Sequence, residues 1–133
     1  MREIDTGMKE MSTKSIDARI YSGKTNFGWD DLKLNKDGMI PVVVQDFIDQ
    51  TVLMLAYMNK EAFEKTLETG LMTYYSRFRN ELWVKGKTSG NYQYVRELYL
   101  DCDSDTILAK VYPMGPACHT GKKSCFFNKI EEV

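Results

Sequence analysis

The chain has 133 residues, of which 28% are charged and 43% apolar, and its formal net charge is −1. This length suits a single domain with a substantial core, and the near-neutral charge argues against a dedicated nucleic-acid binder. No apolar run is long enough to span a bilayer, and residues 1–14 contain no segment of signal-peptide type. We therefore expect a cytoplasmic protein with neither nucleic acid nor membrane as a partner, in which three cysteines favour metal binding or catalysis over disulfides.

The first part of the chain divides into an extension and a regular region. Residues 1–28 show little apolar periodicity and are predicted to form an N-terminal extension, while residues 29–133 are predicted to form one domain. A β-branched run predicts a strand over 39–45, and residues 51–57 are predicted to form its hairpin partner. Asn59 is a good N-cap for a helix over 60–68, and Gly70 is predicted to end that helix.

Strands dominate the second half. Short strands are predicted over 71–76 and 81–85, a long one over 92–102 and its neighbour over 106–112. Phe126-Phe127 is predicted to close the sheet. The predicted fold is strand-rich α+β, with a curved mixed or antiparallel sheet and one or two helices.

All three cysteines and the only histidine lie in the last third of the chain, and one cysteine interrupts an acidic motif, Asp101-Cys102-Asp103-Ser104-Asp105. Thiolates select zinc, whereas carboxylates select hard cations such as magnesium. If the preceding strand continues through this motif, Asp101 and Asp103 share one face and Cys102 takes the other. Asp105 joins the two aspartates only if the extended geometry persists past Ser104. The alternative interpretation is a polar turn between two strands.

The remaining cysteines flank the histidine in a glycine-rich segment that contains Cys118-His119 and ends at Cys125. Three thiolates would leave one zinc position free, as catalytic zinc requires. Imidazole is the side chain most often used for proton transfer in enzymes, which favours such a role for His119. As a fourth ligand it would instead close a structural Cys3His site, and the protein would then be a small binding or adaptor module.

Residues 76–79 and 83–90 contain cationic and hydroxyl side chains, together with glycines that make the backbone flexible. Arginine side chains and exposed backbone amides suit phosphate binding, although such a loop can also be a solvated hairpin turn. The candidate substrate-binding residues are Arg77, Arg79, Lys85, Thr88, Ser89 and Gly90.

Taken together, these motifs resemble the phosphoribosyl-AMP cyclohydrolase family of histidine biosynthesis. The likeness begins near Trp29 or Met39 and runs to Phe127. Its matching segments are residues 40–46, residues 52–59, Tyr75-Ser76-Arg77, Leu82-Trp83-Val84-Lys85-Gly86, Thr88-Ser89-Gly90, Leu100-Asp101-Cys102-Asp103 with Asp105, and residues 115–126. The last two segments are nearly diagnostic by themselves. One departure is Asn91, where the family often has histidine.

The resemblance implies that residues 29–133 form a cyclohydrolase domain. Its expected reaction is the opening of the adenine ring of N1-(5-phosphoribosyl)-AMP at the N1–C6 bond by zinc-activated water, the third step of histidine biosynthesis. It implies His119 as a catalytic residue and a homodimer whose zinc site is shared between subunits. The implied ligands are Cys102, Cys118 and Cys125 for zinc, and Asp101, Asp103 and Asp105 for magnesium.

Overall fold

The structure, a computed structural model, describes residues 27–132. The predicted extension over 1–28 therefore falls almost wholly outside the described residues, and its boundary stays a prediction. A single 3-10 turn, Trp29–Asp31, precedes the regular elements. These are β1 (Ile40–Asp46), β2 (Val52–Met58), α1 (Lys60–Thr69), β3 (Thr73–Ser76), β4 (Glu81–Val84), β5 (Gln93–Leu100) and β6 (Ile107–Pro113).

Two sheets carry the fold. The larger has the strand order β2-β1-β6-β5, with β1 and β6 parallel and the other neighbours antiparallel. The smaller is the antiparallel hairpin β3–β4, which an isolated bridge from Leu71 to Tyr94 connects to β5. The prediction of a strand-rich α+β fold is confirmed, and of the predicted alternatives residues 27–132 contain a mixed sheet and one α-helix. The separation of β3 and β4 into a second sheet was not predicted.

One face of the large sheet forms the hydrophobic core. Alternate residues of β1 and β6 are buried, as the two-residue period of a strand requires. Fully burying each Val or Ile side chain contributes roughly 1.5–3 kcal/mol. The core is completed from α1, where the Phe63 ring packs against Phe27 and Trp29 at centroid distances of 6.2 and 5.6 Å.

Helix α1 begins and ends where the sequence predicts. The Asn59 side chain accepts a hydrogen bond from the Ala62 amide at 2.9 Å, which satisfies one of the unpaired amides of the first turn. Gly70 ends the helix with a φ of 76°, a left-handed conformation that costs glycine little. Thr66 then fixes the helix to β3, because its hydroxyl accepts the Thr73 amide at 3.0 Å.

Two predicted strand features are wrong. β5 ends at Leu100 rather than at residue 102, because the Asp101 carboxylate accepts the amides of Asp105 and Thr106 at 3.0 and 3.2 Å and closes a turn. Ser104, with a φ of 66°, reverses the chain inside that turn. Phe126-Phe127 closes no sheet: both rings are exposed, and the Phe126 amide donates to the Ser124 hydroxyl in a local turn.

Candidate active site

Two thiols meet in the loop that follows β6. Backbone hydrogen bonds from Cys118 to Lys122 and from Gly121 back to Cys118, at 3.2 and 3.0 Å, fold this loop on itself. The Cys125 amide then donates to the Leu53 carbonyl of β2 at 2.8 Å. As a result, the Cys118 and Cys125 thiols are close enough for each to shift the pKa of the other.

The two thiols differ in their electrostatics. The Thr120 hydroxyl, 3.0 Å from the Cys118 sulfur, lowers the pKa of that thiol, and the Thr120 amide, Cys125 and Lys85 act in the same direction. Burial raises the pKa of the Cys125 thiol, and the neighbouring Cys118 raises it further. Cys118 is therefore the thiol that ionises first, and a cation bound between the two would favour both thiolates.

Lys85 connects the thiol loop to the β3–β4 hairpin. Its Nζ donates to the carbonyl oxygen of Ala117, a buried residue next to Cys118, at 2.6 Å. Burial lowers the pKa of the Lys85 ammonium, while the charges of Cys125 and Cys118 act in the opposite direction. Lys85 thus ties together two segments 32 positions apart and places a cation near both sulfurs.

A cleft of about 840 Å³ opens beside this contact. It runs from the thiol loop along β4 to the turn that follows it. Among the residues predicted as functional, those that line the cleft are Arg79, Lys85, Thr88, Ser89, His119 and Cys125. The sequence prediction did not single out Trp83, which also lines it. The position of Trp83 could have identified it, since it lies in the same short segment as Lys85, Thr88 and Ser89.

The remaining predicted substrate contacts lie elsewhere. The Arg77 guanidinium lies over the Tyr57 ring, 3.9 Å from its centroid. Gly90 closes the turn after β4 by donating its amide to Gly86 at 2.7 Å. Gly86 has a φ of 95°, and a Cβ there would lie 2.3 Å from the Tyr92 nitrogen, so glycine is required for the close approach of these two chain segments.

The acidic motif forms its cluster through a turn and not through strand alternation. Ligand oxygens of Asp101, Asp103 and Asp105 all lie within 4.8 Å of one another in the exposed loop between β5 and β6. The predicted opposite facing of Cys102 along a strand is wrong, because β5 has already ended at Leu100. The polar turn of the alternative interpretation is therefore present, and this turn is what gathers the three carboxylates.

The ligand types fit the metals that the sequence predicts. Three converging carboxylates suit a hard cation, and two adjacent thiols suit zinc. Within residues 27–132 the aspartates are the one group of three or more such side chains with converging ligand atoms. Cys102, exposed in the β5–β6 loop, does not converge with Cys118 and Cys125, and neither does His119. The described chain thus offers two neighbouring thiols, of which Cys125 lines the cleft.

A family model described as phosphoribosyl-AMP cyclohydrolase matches residues 54–127. The chain belongs to the phosphoribosyl-AMP cyclohydrolase family. A protein of that name from Listeria innocua is 59% identical over 95 residues, covering 71% of this chain and 90% of the relative. One from Clostridium botulinum strain 657 is 57% identical over 94 residues, covering 71% and 86%. These matches confirm the resemblance seen in the sequence and the prediction of an enzyme of this cyclohydrolase family.

Every residue predicted as a metal ligand, catalytic group or substrate contact lies inside the segment that the cyclohydrolase model matches. Across residues 27–132, no helix has the length and apolar character needed to cross a membrane.

Proposed function

We propose that this protein hydrolyses the N1–C6 bond in the adenine ring of N1-(5-phosphoribosyl)-AMP, the third step of histidine biosynthesis, with residues 29–133 as the catalytic domain. Family membership supports the reaction class. The observation that carries the proposal is the cleft, because it places a thiol and an imidazole beside a turn of hydroxyls and cations. A nucleotide needs both kinds of surface: one for the ring that reacts and one for its phosphates.

Cys118 and Cys125 would hold zinc together with Cys102 of the partner subunit. Zinc, when bound, lowers the pKa of a coordinated water from 15.7 to about 7 and so supplies the attacking hydroxide. The Lys85 tether and the hydrogen bond from Thr120 hold the Cys118 side of the pair ready for the metal. Asp101, Asp103 and Asp105 would hold magnesium, a cation that commonly bridges carboxylates and substrate phosphates.

His119 is the proposed proton carrier. Water adds to C6, the C6–N1 bond breaks, and N1 departs with a proton, leaving a carboxamide at C6. The exposed imidazole lines the cleft together with Cys125, and we propose that it delivers that proton to N1. The alternative of a closed structural Cys3His site is less well supported, because His119 does not converge with the two thiols in the described chain.

Phosphate recognition is proposed for the parts of the cleft that are lined by the turns before and after β4. Arg79, Thr88 and Ser89 line it and offer a guanidinium and two hydroxyls. Arg77 and Gly90 do not line the cleft of one subunit. We therefore propose that these two residues only shape the border of the cleft. Gly90 does so through the turn that it closes after β4, and Arg77 does so through its contact with the Tyr57 ring.

Ultraviolet monitoring of phosphoribosyl-AMP turnover tests the reaction. We expect the spectrum of the ring-opened product to appear only when protein, zinc and magnesium are all present. His119→Ala should slow turnover by about 10²–10⁴-fold, the usual contribution of a general acid or base. If fully metal-loaded protein leaves the purine intact, the proposed function is wrong.

The shared zinc site requires a separate test. Cys102→Ser and Cys125→Ser should each be inactive, but a heterodimer of the two would contain one site with all three cysteines intact. Random mixing should therefore restore about one quarter of wild-type turnover, because half of the dimers are mixed and half of their sites are whole. Absence of any recovery after subunit exchange would place all three ligands within one chain.

A further inference from the structure

The part of the thiol loop that carries Cys125 is fastened to strand β2. We call residues 122–125 the second leg of this loop. The Cys125 amide donates to the Leu53 carbonyl at 2.8 Å, and the Ser124 hydroxyl donates to the Val52 carbonyl at 2.7 Å. Two successive residues of the leg therefore bind two successive carbonyls of the strand.

Lys123, in the same leg, adds an ionic contact to the turn between β1 and β2. Its Nζ lies 3.2 Å from Oδ2 of Asp46 and is also hydrogen-bonded to the Asp49 carboxylate. Lys123 and Asp49 are 74 positions apart in the sequence, so this contact forms only in the folded chain. We call these three residues the Lys123 clamp.

The clamp differs from a surface ion pair because one of its carboxylates is buried. The Asp46 side chain is 7% exposed, and its Oδ1 accepts the Ile48 amide at 2.7 Å, which fixes the carboxylate within the turn. In the described part of the chain, Lys123 is the one cation that pairs with Asp46. Exposed ion pairs contribute little, whereas removing one partner of a buried pair leaves the other charge uncompensated. The leg is therefore held more firmly than its exposed position suggests.

The thiol loop thus has two anchors, one for each cysteine. Lys85 holds the Cys118 side to the β3–β4 hairpin through the Ala117 carbonyl, and the Lys123 clamp holds the Cys125 side to the β1–β2 hairpin. Because the anchors lie on different hairpins, the spacing of the two sulfurs depends on both. An ion bound between the sulfurs needs that spacing to be correct before it binds, or must spend binding free energy to create it.

We propose that Lys123 is a positioning residue for zinc, which holds Cys125 on the β1–β2 hairpin through Asp46 and Asp49 and so sets the spacing of the thiol pair. The proposal rests on the proposed function in one respect, the use of Cys118 and Cys125 as zinc ligands. It adds a residue that contacts neither the metal nor the substrate.

Replacement of the Lys123 ammonium tests the proposal. Lys123→Met keeps an unbranched stem and should lower zinc affinity about tenfold or more, as the loss of a hydrogen bond between charged groups predicts. Lys122→Met is the matched control, because the Lys122 ammonium lies over the Phe127 ring, 5.2 Å from its centroid. The backbone carbonyl of Lys122 that accepts the Cys118 amide stays in place. Competition with a chromophoric chelator should show unchanged zinc affinity for this control.

Lys123→Arg tests whether the cation itself is what matters. A guanidinium can bind both carboxylates of the clamp, so this variant should recover most of the zinc affinity that Lys123→Met loses. An affinity of Lys123→Arg as low as that of Lys123→Met would overturn the proposal. So would equal zinc affinities of Lys123→Met and Lys122→Met.

Two further readouts distinguish positioning from a general loss of stability. In metal-free protein, the Cys125 amide should exchange its hydrogen faster in Lys123→Met than in Lys122→Met, because this amide is bonded to the Leu53 carbonyl. Cobalt(II) in place of zinc gives a thiolate-to-metal absorption, which should reach half of its maximum at a higher cobalt concentration in Lys123→Met. A merely structural role would lower the urea midpoint but leave both readouts unchanged, and that result would overturn the proposal.

Asp49→Asn provides a second variant should Lys123→Met fail to fold. It removes the exposed carboxylate of the clamp but keeps the Oδ1 that accepts the Thr51 amide, and the buried Asp46 stays in place. Zinc binding should weaken, by a smaller factor than in Lys123→Met. An affinity of Asp49→Asn equal to that of wild type would then overturn the proposal.

The outcomes separate this inference from the proposed function. Weaker zinc binding in Lys123→Met, in a protein that never opens the purine ring, would support the positioning role and refute the reaction. Unchanged zinc binding in Lys123→Met, in a protein that does open the ring, would refute the positioning role and leave the reaction standing.

Discussion

Lys85→Met should weaken zinc binding although Lys85 is not a proposed ligand. The substitution keeps an unbranched apolar stem but removes the Nζ that donates to the Ala117 carbonyl at 2.6 Å. Leaving a buried carbonyl such as that of Ala117 without its donor costs about 1–3 kcal/mol. In wild type the Lys85–Ala117 hydrogen bond orders the thiol loop before metal binds. In the variant, part of the free energy of zinc binding must be used to order that loop. At about 1.4 kcal/mol per tenfold, the expected loss of zinc affinity is roughly 5- to 150-fold.

Competition with a chromophoric chelator measures this affinity, and amide hydrogen exchange reports the loop without any metal. The Cys118 amide, bonded to the Lys122 carbonyl, should exchange faster in metal-free Lys85→Met than in wild type. Lys87→Met is the matched control, because Lys87 is an exposed cation that lines the same cleft. It should leave zinc affinity and exchange unchanged.

Equal zinc affinities of Lys85→Met and Lys87→Met would show that the Lys85 contact does not order the thiol loop for zinc. A purely Coulombic role for the ammonium would be revealed by salt: the difference between wild type and variant would then shrink as ionic strength rises. If the hydrogen bond to Ala117 is the cause, most of the difference should persist in high salt.

Three further substitutions test local features of the fold. Asn59→Ala removes the N-cap of α1 and should lower the free energy of unfolding by about 1 kcal/mol. In urea denaturation the midpoint should fall while the dependence of the free energy on urea concentration stays unchanged. An unaltered midpoint would show that the cap does not stabilise the protein. Gly86→Ala forces a left-handed residue against the Tyr92 backbone and should cost about 1–3 kcal/mol from the conformation alone, so a stable, fully active variant would contradict the reported geometry. Lys123→Met should raise the pKa of the Asp49 carboxyl from about 2 toward its ordinary 3.8, because the Lys123 hydrogen bond is the main cause of the lowering. In wild type the stability that this contact contributes is present above pH 4 and is lost as pH falls toward 2, and an NMR titration showing the same low pKa in both proteins would exclude Lys123 as the cause.

The elements that sequence predicts well are those fixed by local chemistry. Asn59 and Gly70 bound α1 because a side-chain cap and a left-handed glycine act within a single turn. β1 and β6 are equally clear, since alternation records which face of a strand is buried.

The features that sequence analysis missed depend on interactions with more distant or competing partners. β5 ends where it does because the Asp101 carboxylate accepts hydrogen bonds from two backbone amides. In an extended strand those amides would not reach this carboxylate. The role of Lys85 depends on a carbonyl 32 positions away, which no local pattern reveals.

In the candidate site, too, the local features could be predicted from the sequence and the tertiary ones could not. Its residue types were predicted from composition and spacing, and the clustering of the three aspartates follows from their short separation once a turn forms. The separation of Cys102 from Cys118 and Cys125 is a tertiary property, because it depends on which edge of the sheet each loop is fastened to.

Zinc titration of metal-free protein, with ring opening followed in the ultraviolet at saturating magnesium, tests the central claim most directly. We predict that turnover rises in proportion to bound zinc and saturates at about one ion per chain. Cys125→Ser should lose zinc and turnover together, while Lys87→Met should retain its zinc. Full turnover by zinc-free protein, or a Cys125→Ser variant that opens the ring at the wild-type rate, would contradict it.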